Sequence, residues 1–417
     1  MKKVISFFTA MFMTSTLFLG CGSAKDTDVK KTDGKKLEGK IEFFQQKKEA
    51  VKNFDAIIAK FNEEYPNIKV EQNCVPDAGK VLTTRMSTGD IPDVFTVYPL
   101  ASEFKVQCDQ KFVMDISNLN GIDNINPEIK KMLTYKDKLY ALPISLNTMG
   151  IFYNKQMFKE LNIEIPKTYD ELISAMKKIK AAGKTPIILP DKDSWTVGQC
   201  GDRLFGMYMN EEMDLFDKVG KGEKSTADSK GLDKLAKVML ELREYGQADS
   251  LGTGYDQAIS VFASGKAAMF YQGTWALPII DKAKPSFEVG MFPFPGDTDK
   301  ESKIGINVDC AVSARADGKN GELAKTFISF LARPEIAQMY VKADGSPSAI
   351  KDVKSDRKEF EAMQKSIAEG NTYPIPSNNW KPGFSGEWKK VVQNLIVKKD
   401  VKAFTKELDQ VVKNFYK

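Results

Sequence analysis

The amino-acid sequence predicts an α/β protein with more than one lobe, and three observations carry that reading. From residue 40 onward, short apolar runs alternate with amphipathic stretches at helical spacing, the pattern of βαβ units and a largely parallel sheet. The chain's 417 residues exceed an ordinary single domain, so two or three lobes are expected. Hydrophobic residues at 42% and charged residues at 28% supply sizeable cores under a well-solvated surface.

The elements follow in order. Residues 41–44 read as a strand and 47–65 as a helix, with Val51, Phe54, Ile57, Ile58 and Phe61 on one face. Residues 68–70, with Cys74 beyond them, form a second strand, 78–87 a helix and 93–98 a third strand. Ligands of open α/β sheets bind where strands end at their carboxyl side. That rule singles out Gln45, Gln46, Tyr98 and Pro99. Thr168 and Glu171 have the spacing of a capping box, and Gly183 closes the helix they open. A strand at 186–189 and helices at 195–209, 228–245 and 255–264 come next. A strand at 267–271 leads to a turn and helix from Gly273. Two helices, 320–331 and 334–342, are separated at Arg333-Pro334.

The N-terminus reads as an address. Met1-Lys2-Lys3 precedes an apolar run over 4–20 that ends at Cys21, the layout of a secretory signal. Ser6, Thr9, Thr14, Ser15 and Thr16 interrupt the run, which makes it marginal for a bilayer core of ~30 Å. Phe18-Leu19-Gly20-Cys21 resembles the lipobox of bacterial lipoproteins, although leucine usually stands where Phe18 does. That resemblance implies a diacylated Cys21, with the two chains that stable anchoring requires. Residues 22–39 are almost wholly Gly, Ser, Thr, Lys and Asp, the composition of a flexible tether of about 25 Å reach.

Several chemistries are excluded or left without residues. The chain has no histidine, which removes the usual Ser-His-Asp and Cys-His systems and every imidazole metal site. Cysteines at 21, 74, 108, 200 and 310 show no CxxC spacing, and the last four read as free buried thiols. No GxSxG elbow, P-loop or complete GxGxxG is present. Lysines and arginines number 61 against 56 acidic residues, spread along the chain and not gathered into a nucleic-acid-binding stripe.

A set of motifs then points to a family. Lys138-Leu139-Tyr140-Ala141-Leu142-Pro143 precedes a segment from Asn147 that ends in Tyr153-Asn154-Lys155 and Phe158. Pro166-Lys167-Thr168-Tyr169-Asp170-Glu171-Leu172 follows. Ile91-Pro92-Asp93-Val94, the stretch 262–269 with Gly273-Thr274-Trp275, and Phe292-Pro293-Phe294-Pro295-Gly296 continue the series. Residues 324–334 and Asp344-Gly345-Ser346-Pro347 complete it. In this order and spacing the chain resembles the family 1 extracellular solute-binding proteins, the maltose-binding-protein-like group.

The resemblance implies a type II periplasmic-binding-protein-like fold, two α/β lobes around a cleft and a hinge. Laid onto this sequence, lobe I takes 40–146 and 310–344, and lobe II takes 147–309 and 345–417. It also implies a function: capturing a sugar outside the cell for the permease of an ABC importer, as a lipid-anchored monomer with no cofactor, no metal and no catalysis.

Sugars present apolar C–H faces and rings of hydroxyls, so their sites want aromatic platforms edged with amides and carboxylates. Trp275 matches the family position where a tryptophan often stacks on a sugar. Trp195 follows the polar run Asp191-Lys192-Asp193-Ser194, and Trp380 lies in a Pro/Asn/Gly-rich stretch. Asn147 and Asp309 stand at the first two crossings; Tyr98, Gln45 and Gln46 complete the candidates. Asp191 and Asp193, one residue apart, read as surface turn residues and not as a glycosidase pair. Two other readings stay open: the same fold with a peptide or other polar solute, and a surface-anchored glycoside hydrolase.

Overall fold

The computed structural model describes residues 37–209, 212–298 and 302–417. Cys21, the signal segment and the tether up to residue 36 lie outside the described residues. Among the described residues nine strands form one sheet: β1 (Gly39–Phe44), β2 (Ile68–Asn73), β3 (Val94–Val97), β4 (Leu142–Asn154), β5 (Thr185–Ile188), β6 (Ala267–Gly273), β7 (Val289–Phe292), β8 (Ile304–Ala314) and β9 (Thr372–Pro374). Its order is β2-β1-β3-β8-β4-β6-β5, with β7 also on β4 and β9 also on β8.

The expected βαβ units lie at the two ends, where β1 pairs in parallel with β2 and β3, and β5 with β6. The middle differs from the largely parallel sheet the sequence implied. There β8 runs antiparallel to both β3 and β4, and β4 antiparallel to β6 and β7. The cause is the length of two strands. β4 has 13 residues and is buried throughout, and β8 has 11; both run through the two lobes and stitch their sheets together. A strand covered on both faces loses the polar alternation that marks a half-exposed one.

Three cores form around this sheet. The first gathers β1–β3, the starts of β4 and the helices Val51–Glu64, Gly321–Leu331 and Pro334–Asp344 around Phe43, Phe54, Phe61, Phe327 and Tyr340. Phe43 meets Phe54 edge-on at 4.8 Å, a favoured aromatic geometry. The second lobe has two cores, one on each side of β4 and β6: a large one around Phe205, Trp380, Phe384 and Trp388, and a smaller one around Phe152, Phe262, Phe270 and Phe360.

The chain passes between lobes where core membership changes. Leu146 belongs to the first core and Met149 to the second; Ile304 belongs to the second lobe and Val308 to the first; Val353 belongs to the first and Phe360 to the second lobe. The second crossing therefore precedes the 309/310 boundary read from sequence, and the third follows the 344/345 boundary. Ala349, Ile350 and Val353 are apolar and still pack into the first core, with Ile350 bridging to Ile125.

Local signals hold at the helix ends. Thr168 caps Tyr169–Ala181 by accepting from Glu171 N at 3.3 Å, while the Glu171 carboxylate accepts from Lys167 N at 2.7 Å, one residue before Thr168 N, the usual partner in a capping box. Gly183 takes the left-handed φ of 73° that ends the helix. Among the described residues, no helix is long and apolar enough to cross a membrane.

Candidate functional site

A cavity of ~610 Å³ lies between the lobes, within the size range of small-molecule sites. One wall comes from the turn after β1, from Tyr98 after β3, and from Asn147, Asn307 and Asp309 at the crossings. The opposite wall comes from the start of helix Ser194–Tyr208, from Tyr255 at the start of its helix, and from Trp275 just after β6. The short turn Pro376–Asn379 and the first residues of helix Phe384–Lys398 close one end.

The second-lobe wall is aromatic. Trp195 meets Tyr255 edge-on with centroids 4.9 Å apart, and Trp275 lies 6.5 Å from Trp195. Gly273 makes this packing possible: a Cβ there would stand 2.1 Å from the Trp275 ring, so only glycine lets the indole lie over the strand end. Tyr98, 49% exposed, faces the cleft from the first lobe.

The first-lobe wall is polar and tightly organised. The buried Lys47 ammonium pairs with Asp309, which also accepts from Asn147 Nδ2 at 3.2 Å and from Ser145 Oγ at 3.4 Å. Burial opposes the Lys47 charge, but Asp309 and Asp344 outweigh it and hold the ammonium above its usual range. Burial pushes the Asp344 carboxyl up to about 6, and Lys47 opposes that shift. Across the cleft, Asp202 is buried and pushed upward, while Arg203 Nη1 at 3.1 Å and Ser377 Oγ at 2.6 Å hold its carboxylate.

Several lining residues also carry a buried polar atom that lacks a partner: Asn147 Oδ1, Gln199 Oε1, Arg203 Nε, Tyr255 OH and Trp275 Nε1. Leaving such a group unsatisfied costs ~1–3 kcal/mol. The set mixes donors and acceptors beside aromatic faces. A ligand with many hydroxyls, each able to donate and accept, answers both features.

Six of the eight candidate ligand-binding residues line this cavity: Tyr98, Asn147, Trp195, Trp275, Asp309 and Trp380. Two do not. Gln45 is 0% exposed and accepts from Lys47 N at 2.8 Å, so it shapes the turn from inside. Gln46 points away from the cleft, into a neighbouring hollow. At a strand end consecutive side chains alternate between faces, so adjacent glutamines cannot both enter one site. Trp380 is only 6% exposed and packs among Phe205, Phe216, Phe384 and Trp388, so it is chiefly a core residue whose edge reaches the cavity. Asp191 is not on the surface: it is buried and takes Arg243 Nη2 at 2.6 Å. Asp193 accepts from Tyr255 N at 2.7 Å and so sets the start of that helix.

Sequence reasoning passed over Lys47, Gln199, Asp202, Arg203 and Tyr255. A signal existed for Asp202-Arg203, an ion pair set among buried positions of one helix. All four described cysteines are free, Cys74 half-buried and Cys108, Cys200 and Cys310 buried.

With this geometry established, comparison with known proteins decides the family. The family model for bacterial extracellular solute-binding proteins matches residues 46–338. The chain belongs to that family. It is 32% identical over 369 residues to the multiple sugar-binding protein of Streptococcus mutans, covering 85% of this chain and 84% of that one. Its fold matches the solute-binding protein RafE in complex with raffinose at a TM-score of 0.84 and 28% identity, covering 91% of this chain and 100% of that one. The apo form of RafE from Streptococcus pneumoniae gives 0.80 at the same identity, covering 91% and 98%. Members of the extracellular solute-binding family are receptors and not enzymes, and the bilobal type II fold is theirs.

Proposed function

We propose that this receptor captures a neutral oligosaccharide of the raffinose kind outside the cell and hands it to the permease of an ABC importer. One observation carries the reading: an aromatic wall of Trp195, Tyr255 and Trp275 surrounded by unpaired donors and acceptors. The indoles and phenol suit the C–H faces of sugar rings, and the polar atoms suit their hydroxyls. Neutrality follows from the pairing of Lys47 with Asp309 and of Arg203 with Asp202, which leaves these charges spent on each other. The raffinose complex of RafE supports the ligand class. A peptide ligand has no comparable support, and the two carboxylates that invited a hydrolase reading, Asp191 and Asp193, are engaged in structure.

Titration with raffinose, melibiose and maltose, followed by thermal unfolding, tests the assignment. A true ligand at 100 times its dissociation constant stabilises the protein by about 2.7 kcal/mol. The expected result is a raised melting temperature with raffinose and unchanged sugar recovered afterwards. No shift with any of the three, or release of free galactose, overturns the reading.

The protein is read as a monomer held at the membrane through a lipid on Cys21. Cys21→Ala is expected to abolish lipid labelling and release the protein from the membrane fraction. Undiminished labelling of that variant rejects the anchor.

A further inference from the structure

Tyr98 borders two hollows, the cleft between the lobes and a second one beside it. A second cavity, of ~690 Å³, lies on the first lobe beside the cleft, walled by residues within 46–80 and by Tyr98. The turn after β1 forms the ridge between them. Lys47 and Glu49 face the cleft, while Gln46 and Lys48 face the second hollow.

We infer that this second hollow is an additional subsite, which holds an outer ring of an oligosaccharide whose other rings occupy the cleft at Tyr98. The inference rests on the carbohydrate reading and extends it to ligand length.

Three features fit a pyranose ring. Val75, Pro76 and Ala78 offer an apolar face next to the half-exposed Tyr98 ring. The Gln46 carboxamide is clamped, with its Nε2 donating to Thr96 O at 2.5 Å and its backbone N donating to Thr96 Oγ1 at 2.8 Å. That leaves its carbonyl oxygen on the side of Gly79, where a Cβ would stand only 3.0 Å from it. Gly79 carries no side chain, so the acceptor stays open to a hydroxyl. The position of Gln46 outside the main cleft thereby gains a purpose. Sequence placed it at a ligand site, and the structure moves it to the hollow next door.

Cys74 stands in the wall of this hollow and is half-buried, whereas Cys108, Cys200 and Cys310 are buried. That makes it a native reporter. The full chain is alkylated with iodoacetamide in mildly alkaline buffer, because burial raises the Cys74 thiol, and modification at Cys74 is read by peptide mapping. Melibiose, raffinose and stachyose, each at saturation by tryptophan fluorescence, are compared. Stachyose is expected to slow alkylation of Cys74 about tenfold more than melibiose does. Gly79→Gln, which adds a side chain at the wall of the hollow beside the Gln46 carbonyl, is expected to weaken stachyose binding about tenfold and melibiose binding less than twofold. Equal protection by the short and long sugars, or none by either while both bind, overturns the subsite and leaves the main cleft intact. Failure of all three sugars to bind the native protein overturns the carbohydrate reading and the subsite with it.

Discussion

Two tryptophans show how much depends on where a single ring sits. Trp275 lies at the cleft with a free Nε1 and a partly exposed face, while Trp380 packs among four other aromatic rings and shows the cavity only an edge. On the proposed reading, in which Trp275 stacks on the sugar, Trp275→Ala removes a face worth roughly 1.5–3 kcal/mol, so affinity for raffinose should fall about 10- to 150-fold, with little change in melting temperature. Trp380→Ala empties a packed core and should cost ~3–5 kcal/mol of stability. Titration and thermal unfolding of both variants check the contrast, and a reversed pattern would exchange their roles. Asp344 gives a second residue-scale test. Its carboxyl is pushed up by burial to about 6, with Lys47, Asp309 and Glu49 around it. The folded state therefore holds this proton more tightly than the unfolded chain does. The favourable contribution is complete below pH ~4, fades as pH rises to about 6, and is level above that. Asp344→Asn stays neutral throughout. Its unfolding free energy relative to the native protein should therefore rise across that window, by an amount on the order of 3 kcal/mol. A difference that does not vary with pH between 4 and 6 would show that Asp344 is already ionised in the fold.

At the scale of elements, β4 and β8 decide the architecture, and they were the least legible part of the chain. Helix Ala78–Ser87 matches its sequence pattern to the residue, because Leu82 and Met86 recur at helical spacing between a turn and a polar end. β4 offers no such pattern: its 13 residues are covered on both faces, so nothing alternates. The sequence of Leu142–Asn154 announced itself only as a family motif. The same blindness affected the site. Trp195, Trp275 and Tyr98 stand at element ends and were readable there. Lys47 and Tyr255 enter the cleft through tertiary packing, which no local pattern encodes. Gly150, in the middle of β4, shows how tight this strand's surroundings are: a Cβ would come 2.6 Å from Phe292 O on β7. Gly150→Ala must push β7 away from β4 and should destabilise the protein by ~1–3 kcal/mol. Unfolding in denaturant measures this, and a neutral result would mean that β7 moves freely.

Across the whole molecule, the question is what holds the lobes together once a ligand enters. Two contacts reach over the cleft from helix Ser102–Asp109 of the first lobe. Glu103 Oε1 accepts from Gly383 N at 3.1 Å, at the start of helix Phe384–Lys398 in the second lobe, and Lys105 Nζ lies 3.5 Å from Asn379 Oδ1. A carboxylate at a helix N-terminus contributes ~0.3–1 kcal/mol at an exposed site. The Glu103 contact joins the two lobes, so it is expected to stabilise the state in which they meet. A bias on one of two states changes apparent affinity by that amount. Glu103→Ala should therefore weaken raffinose binding about two- to fivefold, chiefly by faster release, and leave the melting temperature of the free protein unchanged. Small-angle scattering supplies the structural half of the test. Raffinose should shrink the radius of gyration of the native protein, and the variant should need proportionately more sugar for the same contraction. If the variant binds and contracts as the native protein does, the Glu103–Gly383 contact follows closure and contributes nothing to it.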